Sequence, residues 1–203
     1  MTGAPEPALP LAWPVDHSPD LLAITGANRA AAAWLAAPGL WPVPITLISG
    51  PQGSGKTHLA RWFSARHRGT VTEDADLADP ESLFHAWNAA TREAPLLLTS
   101  RLAPRDWNHG LPDLASRLAA TPLVRLGEPD DELLAAVLAK LFAERGIGVN
   151  DDLIGWLVVR IERNLVAAAA VVAALDTAAL ARRRAITIPL AREIVEGQGE
   201  FGF

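Results

Sequence analysis

The run Gly50-Pro51-Gln52-Gly53-Ser54-Gly55-Lys56-Thr57 constrains this chain more than any other stretch. A β-prone apolar segment, Ile45-Thr46-Leu47-Ile48-Ser49, precedes it. His58-Leu59-Ala60-Arg61-Trp62-Phe63-Ser64-Ala65 follows with the spacing of an amphipathic helix. In that context the pattern G-x-x-x-x-G-K-[ST] reads as a phosphate-binding loop, the other reading being a chance glycine-rich turn. Glycines let the backbone fold back until several N–H groups face one anion. The lysine reaches the outer phosphates, the threonine hydroxyl holds Mg²⁺, and the helix aims its positive end at the same charge. Gly50, Gln52, Gly53, Ser54, Gly55, Lys56, Thr57 and His58 are therefore the candidate ligands of ADP or ATP with Mg²⁺. The chain has two lysines against sixteen arginines, and one of the two stands in this loop, where a compact ammonium fits and a planar guanidinium does not.

Composition narrows the class. Half of the 203 residues are hydrophobic, enough for a real core. The net charge of −5 argues against direct DNA binding across a broad face, though not against a local patch. With no cysteine there is no disulfide framework and no thiolate metal site. Met1 to Trp13 lack the basic start and apolar core of a secretory leader. No charge-free apolar run approaches the ~18 residues of a membrane span, so the expectation is no membrane and a cytoplasmic location. His17, His58, His67, His85 and His109 show no metal-ligand spacing.

Residues 1–19 are proline-rich and read as an extended arm. A helix is expected over 27–37, and strands over 45–49, 69–72, 95–100 and 123–126. Helices are expected between these strands, over 80–93 and 112–120. Strands alternating with helices imply a parallel sheet covered on both faces, assigned to residues 20–127. From 128 to 203 only helices are expected, over 130–145, 150–160, 163–183 and 188–196, forming a small lid. Trp34, Trp62, Trp87 and Trp156 fall on helical apolar faces and are read as core. Arg182-Arg183-Arg184 is read as helix-end cations, with DNA phosphate contact as the alternative.

Three further stretches carry a family resemblance. Leu111-Pro112-Asp113-Leu114-Ala115-Ser116-Arg117-Leu118 resembles the arginine-finger region of the bacterial replication-initiator branch of AAA+ proteins. Leu96-Leu97-Leu98-Thr99, continuing to Pro104, resembles that branch's sensor 1 strand. Ala185-Ile186-Thr187-Ile188-Pro189-Leu190-Ala191 resembles the last helix of its lid. Within the branch the chain is most similar to the Hda-type, DnaA-related regulators. Ala8-Leu9-Pro10-Leu11-Ala12-Trp13 stands where such proteins carry a clamp-docking peptide, though Ala8 replaces the usual leading glutamine. With the lid expected to run to residue 203, the expectation is a chain without the initiator's DNA-binding domain.

The resemblance implies an adaptor. In its ADP form, with the DNA-loaded sliding clamp, it makes an ATP-bound DnaA-type initiator hydrolyse its nucleotide and so limits re-initiation. Leu9, Pro10 and Leu11 would bind the clamp, against the plainer reading of a proline-rich arm. A homodimer is compatible. Arg117 would be the finger acting in a neighbour's site, oriented by Asp113 and Ser116; the alternative is a surface arginine. Glu73 and Asp74 would be the Mg²⁺-holding and water-polarising acids, or merely a polar loop. Lys56 and Glu73 are 73 − 56 = 17 residues apart, too few for the strand and helix usually found there, so the sheet should have about four core strands. Thr99 would be sensor 1, with Arg101 where an acid is usual, or simply a threonine ending a strand. The sensor 2 position falls on Val166, with Arg163 one turn earlier as the candidate, or as an exposed helix-start arginine. Two other functions stand beside this one: a small P-loop kinase with a helical lid, and a non-hydrolysing AAA+ scaffold.

Overall fold

The computed structural model describes residues 22–107 and 110–197. Its first half builds one four-stranded sheet. The strands are β1 (Ile45–Ser49), β2 (Thr70–Thr72), β3 (Leu96–Ser100) and β4 (Leu123–Arg125), in the order β2-β3-β1-β4, and every pairing is parallel. β1 and β3 are central and buried at every position. Their side chains alternate between two cores with the period of two that a pleated strand dictates. Ile48 and Leu97 join Leu35, Trp41, Leu59 and Phe63 on one face. Ile45, Leu47, Leu96 and Leu98 join Leu83, Leu114 and Leu118 on the other. Helices α1 (Arg29–Ala36) and α2 (Lys56–Arg66) thus cover one face; α3 (Pro80–Ala89) and α4 (Pro112–Ala119) cover the opposite one. A polar residue inside β1 is accounted for: Thr46 accepts from the Trp34 indole at 2.8 Å and donates to the Pro122 carbonyl at 3.1 Å.

The short return from α2 to β2 confirms the missing strand and helix. Gly69 makes the turn possible, because a Cβ there would lie 2.6 Å from both a Phe63 ring carbon and the Pro95 carbonyl. Gly69→Ala is expected to cost about 1–3 kcal/mol, the usual penalty for overpacking. A lowered urea midpoint with unchanged slope would show it.

The second half is all helical: α5 (Asp131–Glu144), α6 (Asp151–Val158), α7 (Leu165–Arg182) and α8 (Ile188–Gly197). Asp130, Asn150 and Asn164 cap the first three by accepting from Leu133, Leu153, and Val166 with Ala167. Leu134, Leu138, Phe142, Leu157, Val172 and Leu175 form the core of this half. Asp130 also accepts from the Thr25 hydroxyl at 3.0 Å and the Ala27 N–H at 2.9 Å, tying the segment before α1 to the helical half.

Among the described residues α7 is long and apolar enough, by length and composition, to cross a membrane. It nevertheless carries Asp176, and buries Leu165, Val171, Val172 and Leu175 in the core of the helical half. The four tryptophans expected in the core, Trp34, Trp62, Trp87 and Trp156, are only half-buried; among the described residues Trp41 and Trp107 are the buried ones. The helical period puts the four on the apolar side, but at its margin, where an indole keeps one edge wet. In the basic run, Arg182 pairs with Glu193 and Arg183 ends α7 in the left-handed conformation.

Candidate functional site

The loop Gly50–Gly55 leaves β1 at the carboxyl edge of the sheet and turns into α2. Gly53 (φ 75°) and Gly55 (φ 100°) adopt left-handed conformations that strain any side chain. A Cβ at Gly50 would lie 2.6 Å from the Leu126 carbonyl. Gly55 offers α2 no side-chain cap, so the first N–H groups of the helix, at Lys56, Thr57 and His58, have no acceptor within it. The Ser54 hydroxyl oxygen is buried in the cradle without a partner. Lys56 is 8% exposed, and its ammonium donates to the Gly50 and Pro51 carbonyls at 2.7 and 2.9 Å. Burial lowers its pKa from 10.5, with Asp74 and Asp76 acting in the opposite sense. Free donors, an uncapped helix start and a desolvated cation together fit a phosphate group.

Glu73, Asp74 and Thr99 meet beside this loop. The Thr57 hydroxyl donates to Glu73 at 2.5 Å. The Asp74 N–H reaches the Thr99 hydroxyl at 3.3 Å, and the Ala75 N–H reaches the Thr99 carbonyl at 2.8 Å. Asp74 sits at φ 47°, a conformation non-glycine residues rarely adopt. Among the described residues no group of three or more His, Asp or Glu could hold a metal. The paired oxygens of Thr57 and Glu73 are of the donor type that Mg²⁺ takes, an ion that accepts few protein ligands and completes its shell with phosphate and water. Arg101 lies 4.0 Å from Asp74, so a cation faces the second acid.

The helical half touches the loop through residues that the sequence reading passed over. The Leu165 N–H donates to the Gly53 carbonyl at 2.9 Å, and the Asn164 amide donates to the Gln52 carbonyl at 3.4 Å. A Cβ on Gly53 would lie 1.9 Å from the Asn164 side-chain oxygen. Asn164 thus caps α7 and seats it on the loop together. Arg163 is engaged elsewhere, 2.7 Å from Asp131 and 3.5 Å from the Pro129 carbonyl. Val166, where sensor 2 is expected from the resemblance, is exposed.

Between the segment before α1, the start of α2 and helix α5 lies a small cleft of about 60 Å³, whose walls include Asn28, His58, Leu133, Lys140 and Leu165. Partial desolvation, then Lys140 and Arg61, push the His58 imidazole below its ordinary 6.5, with Glu144 opposing them, although the residue as a whole is exposed. The unfolded chain therefore takes up this proton at a higher pH than the folded one. Stability consequently rises with pH up to about 6.5 and is lost on acidification below it. Carboxylates such as Asp130, held below 3.8, act at lower pH. Between about pH 7 and about pH 5, His58→Gln should lose less stability than the native chain, as measured by urea unfolding. Equal losses would show that the imidazole stays hydrated.

Arg117 lies on α4, across the sheet from α2. Asp113 and Ser116 do not orient it: the Ser116 hydroxyl donates to the Asp113 carbonyl instead. Its partners are on α3, where the guanidinium stacks over Phe84 and Trp87 at 5.0 and 4.8 Å and donates to the Asn88 side chain at 2.8 Å. Leu9, Pro10 and Leu11 fall outside the described residues.

Residues 130–195 match the family model of the Hda lid domain. Domain III of the Thermotoga maritima replication initiation protein DnaA superposes with a TM-score of 0.74 at 14% identity, over 90% of this chain and 97% of that one. The helical half thus matches an Hda-type lid, and the chain as a whole has the fold of DnaA domain III. DnaA from Aquifex aeolicus, described as AMPPCP-bound, aligns with a TM-score of 0.59 at 15% identity, over 79% of this chain and 65% of that one. The Thermotoga maritima RuvB branch migration motor aligns at 0.59 and 14%, over 84% and 68%. In this chain the sheet of that AAA+ fold has four strands and is followed by the helical part.

Proposed function

We propose that this protein is an Hda-like, nucleotide-bound adaptor that completes the ATPase site of a DnaA-type initiator. The observation that carries the reading is the split across the sheet. Helix α2, which the loop 50–57 enters, and helix α4, which carries Arg117, cover opposite faces of the sheet, which supports a role for Arg117 at a neighbouring molecule and not at its own nucleotide. An arginine supplied in this way stabilises charge on the transferred phosphoryl group.

The site at 50–57 is built to grip. Loop and helix N–H groups surround the phosphates, Lys56 neutralises them, and Asn164 with Leu165 closes the helical half onto the loop. Mg²⁺ held by Thr57 and Glu73 would screen phosphate charge. Arg101 beside Asp74 opposes a water-polarising role for that carboxylate, which favours retained ADP over turnover of ATP. The same contact supports the scaffold reading, which differs only in whether a partner is activated. The AMPPCP-bound DnaA relative supports nucleotide binding, and the lid match favours an AAA+ role over a kinase. A DnaA-type initiator is the partner in this reading, the sliding clamp meets Leu9, Pro10 and Leu11, and the location is the cytoplasm.

The test is steady-state ATP hydrolysis by the initiator, titrated with this protein in the presence and absence of DNA-loaded clamp. Stimulation that needs the clamp supports the adaptor. A protein that binds ADP yet leaves the rate unchanged is the scaffold.

A further inference from the structure

We infer that Phe84, Trp87 and Asn88 form a positioning clamp on α3 that sets the reach of Arg117, a reading that rests on the trans role proposed above. Phe84, Trp87 and Asn88 stand at i, i+3 and i+4, so they share one face of α3. That face takes the Arg117 guanidinium at three points: two ring faces at 5.0 and 4.8 Å, and the Asn88 carboxamide oxygen at 2.8 Å. The backbone beneath is fixed as well. The Thr121 hydroxyl, on a residue only 6% exposed, donates to the Arg117 carbonyl at 3.0 Å. An unrestrained surface arginine samples many rotamers. This one is held by its backbone, its ring neighbours and one directed hydrogen bond.

Trp87 is costly for a purely structural role. Its indole N–H is buried with no acceptor, so it supplies no polar anchor. What it presents to its neighbour is the ring face, which attracts a guanidinium. Stacking leaves the outer N–H groups of Arg117 available, because planar faces occupy the guanidinium's plane and not its donors. Asn88 takes one of those donors and fixes the rotation of the plane. The arrangement matters for reach, since misplacing a catalytic group by about 1 Å costs on the order of a hundredfold in rate. Helix α3 also begins just beyond the turn carrying Glu73 and Asp74, and Asp79 caps its first turn by accepting from Ser82 at 2.9 Å. The clamp is thus attached to the segment that meets Thr57.

The experiment is initiator ATP hydrolysis on DNA-loaded clamp, with full-length Trp87→Leu, Trp87→Phe, Asn88→Ala and Arg117→Ala. Trp87→Leu should lower the maximal stimulated rate about tenfold and leave the half-saturating concentration within about twofold, since docking is untouched. Trp87→Phe restores a ring face and should retain at least about half the native maximum. Asn88→Ala changes an exposed side chain outside the core and should lower the maximum about threefold, which keeps the test decisive if Trp87→Leu fails to fold. If Arg117→Ala abolishes stimulation while folded Trp87→Leu and Asn88→Ala match or exceed the native rate, the clamp is wrong and the trans role stands. Leucine and phenylalanine variants that fall equally also overturn the clamp. Full stimulation by Arg117→Ala overturns the trans role itself.

Discussion

Arg117→Ala should lower stimulation of the initiator's ATP hydrolysis by about a thousandfold, to the unstimulated rate. A finger arginine supplied in trans contributes ~10³–10⁵ in rate, because it meets charge that develops only in the transition state. The same substitution should barely affect the protein itself. Arg117 is half-buried and rests on two rings and an exposed asparagine, contacts worth about 1–2 kcal/mol together. Nucleotide affinity should not change, since the partners of Arg117 are Phe84, Trp87 and Asn88 and none belongs to the loop 50–57. Calorimetry with ADP, a urea melt and the stimulated ATPase separate the three quantities. A variant that binds ADP normally and stimulates fully would remove Arg117 from the mechanism.

Lys56→Ala should lose nucleotide affinity by about two orders of magnitude or more. Hydrogen bonds to a charged partner contribute ~1.5–3 kcal/mol each, and in the proposed role Lys56 bonds two phosphates. Folding should survive with a loss of no more than about 2 kcal/mol. The variant deletes a desolvated cation, a gain, and leaves the Gly50 and Pro51 carbonyls without their donor, a loss of similar size. Lys56→Arg should fail too, because a planar guanidinium does not fit a pocket that leaves lysine 8% exposed. Calorimetric titration with ADP decides it. Affinity within about threefold of native would mean that the loop's N–H groups hold the phosphates without the ammonium.

Much of this architecture is legible in the residues, and the reasons are local. The expected helix over 188–196 is seen at Ile188–Gly197, and that over 130–145 at Asp131–Glu144 behind the acidic cap Asp130. The 17-residue gap between Lys56 and Glu73 announced the shortened sheet, because no strand and helix fit in it. Glu73, Asp74 and Thr99 come together beside Thr57 because parallel strands end at one edge.

The rest depended on tertiary contacts that no spacing records. Asn164 reads as an ordinary helix cap; only the closure of α7 onto Gly53 makes it part of the site. Arg163 looked available for phosphate until Asp131, 32 positions earlier, took its charge. The neighbours expected to orient Arg117 lay one turn away on its own helix, yet its partners come from α3, where an aromatic pair offered more than a serine engaged with its own backbone. Phe84 and Trp87 show a ring spacing in the sequence, but nothing there says which cation they meet.

The central claim is that this protein acts on another molecule's nucleotide while holding its own. The most direct measurement loads the initiator with γ-labelled ATP and this protein with ADP. The two are mixed on DNA-loaded clamp, and labelled phosphate is followed over a single turnover. The account predicts rapid release from the initiator's ATP, dependent on Arg117, with the ADP still bound to this protein afterwards. Release at the unstimulated rate, with ADP confirmed on the protein and clamp present, would contradict it.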